Sequence, residues 1–183
     1  MRKRTAFLPA VLAVLAALAL CAAAAEEPAE PVFLTGFDCE DLEGNPVDAA
    51  LFDGAELVLI DCWEAWCPWC LKEMPDLDEL YRLNKDSGLL IVGLSGISAA
   101  PGYDAKQTAG EMNISYPLVS GTAELLPYAP AGFPTTYVYQ RQEDGSLLFL
   151  GHIEGYMPRE DWNAFLEEYL PGAVTEGVPA ASL

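Results

Sequence analysis

Trp66-Cys67-Pro68-Trp69-Cys70 is the stretch on which the reading of this chain turns. The apolar run Leu57-Val58-Leu59-Ile60 comes before it. After it, Leu71, Met74, Leu77, Leu80, Tyr81 and Leu83 recur near helical spacing. A short continuous apolar run reads as a buried strand, and the second pattern as a helix over 67–84. Cys67 therefore falls where a strand ends and a helix begins. A sulfur there faces the positive end of the helix dipole and backbone N–H groups that lack intrahelical partners. Both stabilise the thiolate, which is the nucleophilic form. The same pair could be a structural disulfide or half of a zinc site. Zinc ordinarily needs a second cysteine pair or histidines, and the one histidine, His152, sits far along the chain on another predicted strand. Dithiol–disulfide exchange is the expected chemistry, with no cofactor and no metal.

Upstream of the dithiol, residues 32–37 suit a short strand. Asp41-Leu42-Glu43-Gly44-Asn45-Pro46 is a turn cluster that predicts a hairpin. Pro75 is expected to interrupt the helix over 67–84 and kink it. Residues 89–94 form a second buried apolar run, 107–112 fit a helix, and 123–126 fit a helical turn. Residues 135–139 are β-branched and aromatic, Asp144-Gly145 signals a hairpin, and 147–153 pair back. Residues 158–170 form a last helix with Trp162, Phe165, Leu166 and Tyr169 on one face. A β-α-β half followed by a β-β-α half implies an α/β fold over 32–170. It has a central mixed sheet, helices on both faces and an N-terminal hairpin extension. Residues 171–183 read as a flexible tail.

The N-terminus carries the pattern of an export signal. Arg2, Lys3 and Arg4 precede an Ala/Leu-rich apolar stretch at 7–20, and Ala23-Ala24-Ala25 offers a small-residue cleavage site. Residues 1–25 are read as a signal peptide, with a retained anchor as the alternative, and 26–31 as a linker. Leu18-Ala19-Leu20-Cys21 is similar to a bacterial lipoprotein box, which would lipidate Cys21, although such boxes prefer a small residue where Leu20 stands. Export places the chain outside the cytoplasm, where disulfides persist. The formal net charge is −19, and loss of the three basic residues would make it more negative. Such a surface repels nucleic acid and anionic lipid head groups and would favour basic partners, but it is read first as an acidic solvated surface that suits solubility.

With strand, dithiol and helix in place, Asp61-Cys62-Trp63-Glu64-Ala65-Trp66-Cys67-Pro68-Trp69-Cys70 resembles the active-site segment of the thioredoxin superfamily. Gly132-Phe133-Pro134-Thr135-Thr136 resembles its second signature, a loop whose proline is cis and lies opposite the dithiol. Pro75 matches the family's kink. The turn cluster at Asp41 and the insertion between Leu94 and Phe133 are similar to the secreted TlpA/ResA-like branch. The resemblance implies a thioredoxin-like fold in which Cys67 is the outer, attacking thiol and Cys70 the deeper, resolving one. It implies that Asp61, and Glu73 one helical turn after Cys70, are candidate bases for the Cys70 thiol. Trp66, Pro68, Trp69, Phe133, Pro134 and Thr135 would flank a substrate chain, while Trp63 belongs to the core. The implied partners are exported thiol or disulfide proteins as substrates and a membrane or extracytoplasmic dithiol as electron donor, the enzyme itself being a monomer. The branch implies a reductase. A disulfide-forming oxidase and a redox-inert binding module stay open. A peroxidase of the related peroxiredoxin class is disfavoured, since no threonine precedes Cys67 at that family's spacing. Cys39 and Cys62 are either two buried free thiols or a second disulfide.

Overall fold

The computed structural model describes residues 30–175. The chain divides into two units, 1–31 and 32–183, and the fold is that of the second. The expected signal segment and Cys21 lie outside the described residues.

Seven strands form one mixed sheet: β1 Cys39–Asp41, β2 Pro46–Val47, β3 Leu57–Cys62, β4 Leu89–Ser95, β5 Leu118–Ser120, β6 Thr135–Arg141 and β7 Leu147–Glu154, in the order β2-β1-β5-β4-β3-β6-β7. Three α-helices accompany them: α1 Pro68–Asn84, α2 Ala105–Met112 and α3 Arg159–Tyr169. β3 runs parallel to β4 and antiparallel to β6. Every residue of β3 and of β4 is buried. A strand covered on both faces reads as an unbroken apolar run, which is the pattern these two segments show.

The period of two along β3 divides the core. Leu57 and Leu59 lie with Leu89, Ile91 and Val138 on one face, under α1 (Met74, Leu77, Leu80), Ala109 of α2 and Trp162 and Leu166 of α3. Val58, Ile60 and Cys62 lie with Val92, Leu94, Tyr137 and Tyr139 on the other. Phe37 and Phe52 cover that second face, the latter in the 3-10 turn Ala49–Phe52. Helical segments thus lie on both faces, while all three α-helices share one. By this alternation Asp61 looks toward α1, opposite Gly93 and Thr136, and Cys62 looks away from it.

Several details differ from expectation. α1 runs without interruption through Pro75. The ring removes one backbone donor, but Met74 and Leu77 on either side are wholly buried and hold the helix. The expected strand at 32–37 is reduced to a bridge between Phe33 and Leu148, flanked by hydrogen bonds from the Leu34 N–H to the Leu147 carbonyl and from the Phe149 N–H to the Val32 carbonyl. β5 was not anticipated. It is three residues long and follows Pro117, too short to show a period. The hairpin β1–β2 does form: the Asp41 carboxylate accepts the N–H groups of Glu43 and Asn45 and the Asn45 side-chain amide, and Gly44 takes a left-handed φ of 87°. Residues 171–175 are held rather than loose, since Asn84 exchanges two hydrogen bonds with the Val174 backbone.

Cys39 and Cys62 are free thiols. β5 and β4 stand between their strands. Three strand spacings of about 4.8 Å put the backbones roughly 14 Å apart, beyond the reach of a disulfide.

Candidate active site

β3 delivers the chain to α1 through the turn at 63–66, buried except for the half-buried Trp66, and the Cys67 N–H donates to the Glu64 carbonyl at 2.9 Å. Cys67 is the N-cap residue of α1. Its backbone is extended, its sulfur accepts the Cys70 N–H at 3.1 Å, and Pro68 fills the first helical position, where a missing N–H costs nothing. Cys67 and Cys70 are joined as a disulfide with Cα atoms 5.3 Å apart. Cys70 is completely buried, and Cys67 is only 2% exposed. The outer thiol is therefore nearly as covered as the inner one, more so than a freely attacking sulfur requires. Trp66 and Phe133 pack against the same cluster and meet edge to face at 5.8 Å. Ser98 fixes this cover. Its carbonyl accepts the Trp66 indole N–H at 2.7 Å, and its N–H donates to the buried Glu64 carboxylate at 2.6 Å.

The end of β3 and the start of β6 meet where Cys62 pairs with Thr135, which brings the Phe133–Pro134 segment to the dithiol edge of the sheet. The Phe133–Pro134 peptide is cis. Pro134 is buried, and its carbonyl accepts the Gly155 N–H at 2.9 Å. Thr135, expected beside substrate, is instead 1% exposed and donates its hydroxyl to the Gly132 carbonyl at 2.8 Å, so it braces the loop. Pro68 and Trp69 are exposed. Trp69 leans on Tyr156 at 5.6 Å, and the Lys72 ammonium lies 4.1 Å from the Tyr156 ring centre. Trp69, Phe133, Gly155 and Tyr156 line a recess of about 350 Å³. Tyr156 and Lys72 were not singled out from the sequence. Tyr156 lies 87 positions after Trp69, and nothing local links them.

Behind the disulfide both anticipated acids are present and buried. Asp61 is 0% exposed, accepts the Thr136 hydroxyl at 3.4 Å on Oδ1, and has no protein partner for Oδ2. Burial pushes its carboxyl well above the ordinary range, the nearby charge of Glu73 adds to this, and Thr136 opposes it. Glu73 is 1% exposed, and its Oε1 accepts the Met157 N–H at 2.7 Å and the Trp162 indole N–H at 3.0 Å. Burial raises it to about 7, with Asp76 adding and the two hydrogen bonds opposing. Two such carboxyls on the disulfide's side of the sheet, one of them raised to about 7, can take up and return a proton. Cys62, on the far face, is pushed upward by burial and by Asp61 and Glu64, and takes no part.

Comparison with known proteins agrees with this geometry. The family described as AhpC/TSA matches residues 33–126, about half of the chain and including the dithiol. The thiol-disulfide oxidoreductase ResA of Geobacillus kaustophilus (strain HTA426) is 27% identical over 172 residues, 92% of this chain and 95% of that protein. The crystal structure of a thiol:disulfide interchange protein of the thioredoxin family from Chlorobium tepidum TLS superposes with a TM-score of 0.63 at 23% identity, covering 79% of this chain and 99% of that one. The solution structure of a thiol:disulfide interchange protein from Bacteroides sp. gives 0.59 at 26% identity, covering 79% and 92%. The chain thus belongs to the AhpC/TSA family within the thioredoxin superfamily and, with its Cys67–Cys70 pair, is a thiol-disulfide oxidoreductase.

Proposed function

We propose that this enzyme works outside the cytoplasm as a reductant of disulfides in exported proteins. The observation that carries the reading is a Cys67–Cys70 pair at the start of α1 backed by two buried acids, Asp61 and Glu73. In the reduced enzyme the Cys67 thiolate attacks one sulfur of a substrate disulfide. The first substrate thiolate leaves and takes a proton from solvent. Cys70 passes its proton to the Asp61–Glu73 pair and attacks the Cys67 sulfur, and the second substrate thiolate leaves. The enzyme ends as the disulfide, and a dithiol electron donor restores it. Trp66, Pro68, Trp69, Phe133 and Pro134 form the surroundings in which a substrate chain is held.

Charge supports this direction. A strong oxidant is one whose reduced form is stabilised. Here no cation lies between the cysteines, and the groups behind them are carboxyls. Negative charge opposes a thiolate, so the disulfide is the favoured form of the pair and the dithiol a reductant. The basic N-terminal segment, the apolar stretch after it and the small residues at 23–25 support export. Intact mass of the exported chain tells cleavage near residue 25 from lipidation at Cys21, and its elution in size-exclusion chromatography checks the expected monomer.

Insulin reduction by dithiothreitol is the direct assay. The wild type accelerates it and Cys67→Ser does not. A wild type without effect would leave a binding module of the same fold. Redox titration of the pair fixes direction: a potential below about −220 mV supports the reductase, and one above about −150 mV makes the enzyme an oxidase.

A further inference from the structure

Among the described residues five buried side-chain polar atoms have no protein partner: Asp61 Oδ2, Trp63 Nε1, Glu73 Oε2, and the hydroxyls of Tyr116 and Tyr139. Tyr139 belongs to the face away from the α-helices. The other four belong to the side of the sheet that carries the α-helices and the disulfide. Asp61 stands opposite Gly93 on β4. A Cβ placed on Gly93 would lie 2.5 Å from Leu118 Cδ2 and 3.1 Å from both Trp63 Nε1 and Cε2 of Tyr116, so the bare glycine lets these two rings close on the strand beside Asp61. Trp63, Tyr116 and Cys70 share one core cluster, and Glu73 enters it from α1. Buried polar atoms are ordinarily satisfied, and a bound water needs two to four polar partners. Trp63 and Tyr116 supply two unpartnered N–H or O–H donors, and Asp61 and Glu73 two unpartnered carboxyl oxygens. One water shared by that set would accept from both rings and donate to both acids.

We propose that Tyr116 is a positioning residue of the exchange reaction, its hydroxyl holding a bound water against Asp61 and Glu73 and so stabilising the negative charge the two acids share. The proposal rests on the reading that these acids receive the Cys70 proton. Tyr116 suits the task because it does not ionise. Burial first, then Asp61, Asp78 and Glu73, drive its phenol well above the ordinary value, so it stays an O–H donor at any working pH. The charged or titratable groups near it are Asp61 from β3 and Glu73, Asp78 and Tyr81 from α1, the last edge to face at 6.2 Å. Lys106 of α2 lines the groove on the other side of Tyr116, but it is exposed and bound to Glu43 at 3.6 Å. Among the described residues no cation neutralises the acids from within, which leaves that task to the two ring donors.

The test reads the step that needs the base. Cys67 is loaded with the coloured aromatic thiol of Ellman's reagent, and its displacement by Cys70 is followed against pH. In the wild type the rate rises through neutral pH, and Asp61→Asn or Glu73→Gln removes or displaces that rise. Tyr116→Phe, which deletes one oxygen, moves the midpoint upward by about one pH unit, slowing displacement about tenfold at neutral pH. Trp63→Phe moves it the same way, and Tyr139→Phe leaves it in place. If neither Tyr116→Phe nor Trp63→Phe moves the midpoint while the acid variants do, the proposal is overturned and the exchange mechanism stands. If the wild type releases no coloured thiol through Cys70, the exchange mechanism itself fails and this proposal with it.

Discussion

Glu73 ties the chemistry to the stability of the fold. Its carboxyl is raised to about 7 by burial. The native state therefore holds this proton more tightly than the unfolded chain, whose glutamates titrate near 4.5. Stability from this group is complete below that lower value and is lost as pH rises through about 7, by about 3 kcal/mol. Glu73→Gln keeps an oxygen for Met157 and Trp162 and cannot ionise. Urea denaturation between pH 4.5 and 8 should show a fall in stability for the wild type that is smaller by about that amount in the variant. Trp162→Phe removes a donor to the carboxylate, so the Glu73 titration should move upward, as carboxyl infrared bands would report. Asp61 and Glu73 were legible as candidates through the family resemblance, which carries an acid at each of these places. The donors that hold Glu73 were not. Trp162 reads as one more apolar residue on the buried stripe of α3, and only the packing of α3 against α1 turns its indole nitrogen to the acid.

At the scale of elements, β3, α1 and the start of β6 were legible, and what they share is length with a clear period or punctuation. Six buried residues ending at Cys62 and seventeen helical residues from Pro68 leave little freedom in where the dithiol sits. Register was not legible, and it is register that sets Asp61 opposite Gly93. No sequence pattern states that this glycine permits so close a packing. A Cβ there would meet Leu118 Cδ2 at 2.5 Å as well as the two rings. Gly93→Ala should lower stability by about 1–3 kcal/mol, the usual effect of overfilling a packed interior, and thermal melts of the oxidised protein would show it. The cover over Cys67 is also a product of contact between elements. Glu64→Ala frees the Ser98 N–H, loosens Trp66, and should raise the alkylation rate of Cys67 in the reduced enzyme several-fold.

Across the whole molecule the sheet separates two kinds of sulfur. Cys67 and Cys70 lie on the face of the α-helices, whereas Cys62 points to the opposite core beside Tyr137 and Tyr139. Cys39 is half-buried and raised to about 11, by burial and by Asp38. Thiol labelling of the oxidised enzyme at neutral pH should modify Cys39 slowly and Cys62 only on unfolding, as peptide mass mapping would show.

The backbone of Val32–Leu34 lies along β7, the last strand on its side of the sheet, and is tied to it by hydrogen bonds at Leu34 and Phe149. This short segment acts as a selvedge. An outermost strand left with open amide and carbonyl groups is a template for another copy of the same chain. A version trimmed to begin at Thr35 would keep its dithiol and most of its core, yet light scattering should detect growing assemblies where the longer chain stays dispersed. How far the N-terminal segment can be shortened in making this enzyme is thus set by the rim of the sheet, some distance from its chemistry.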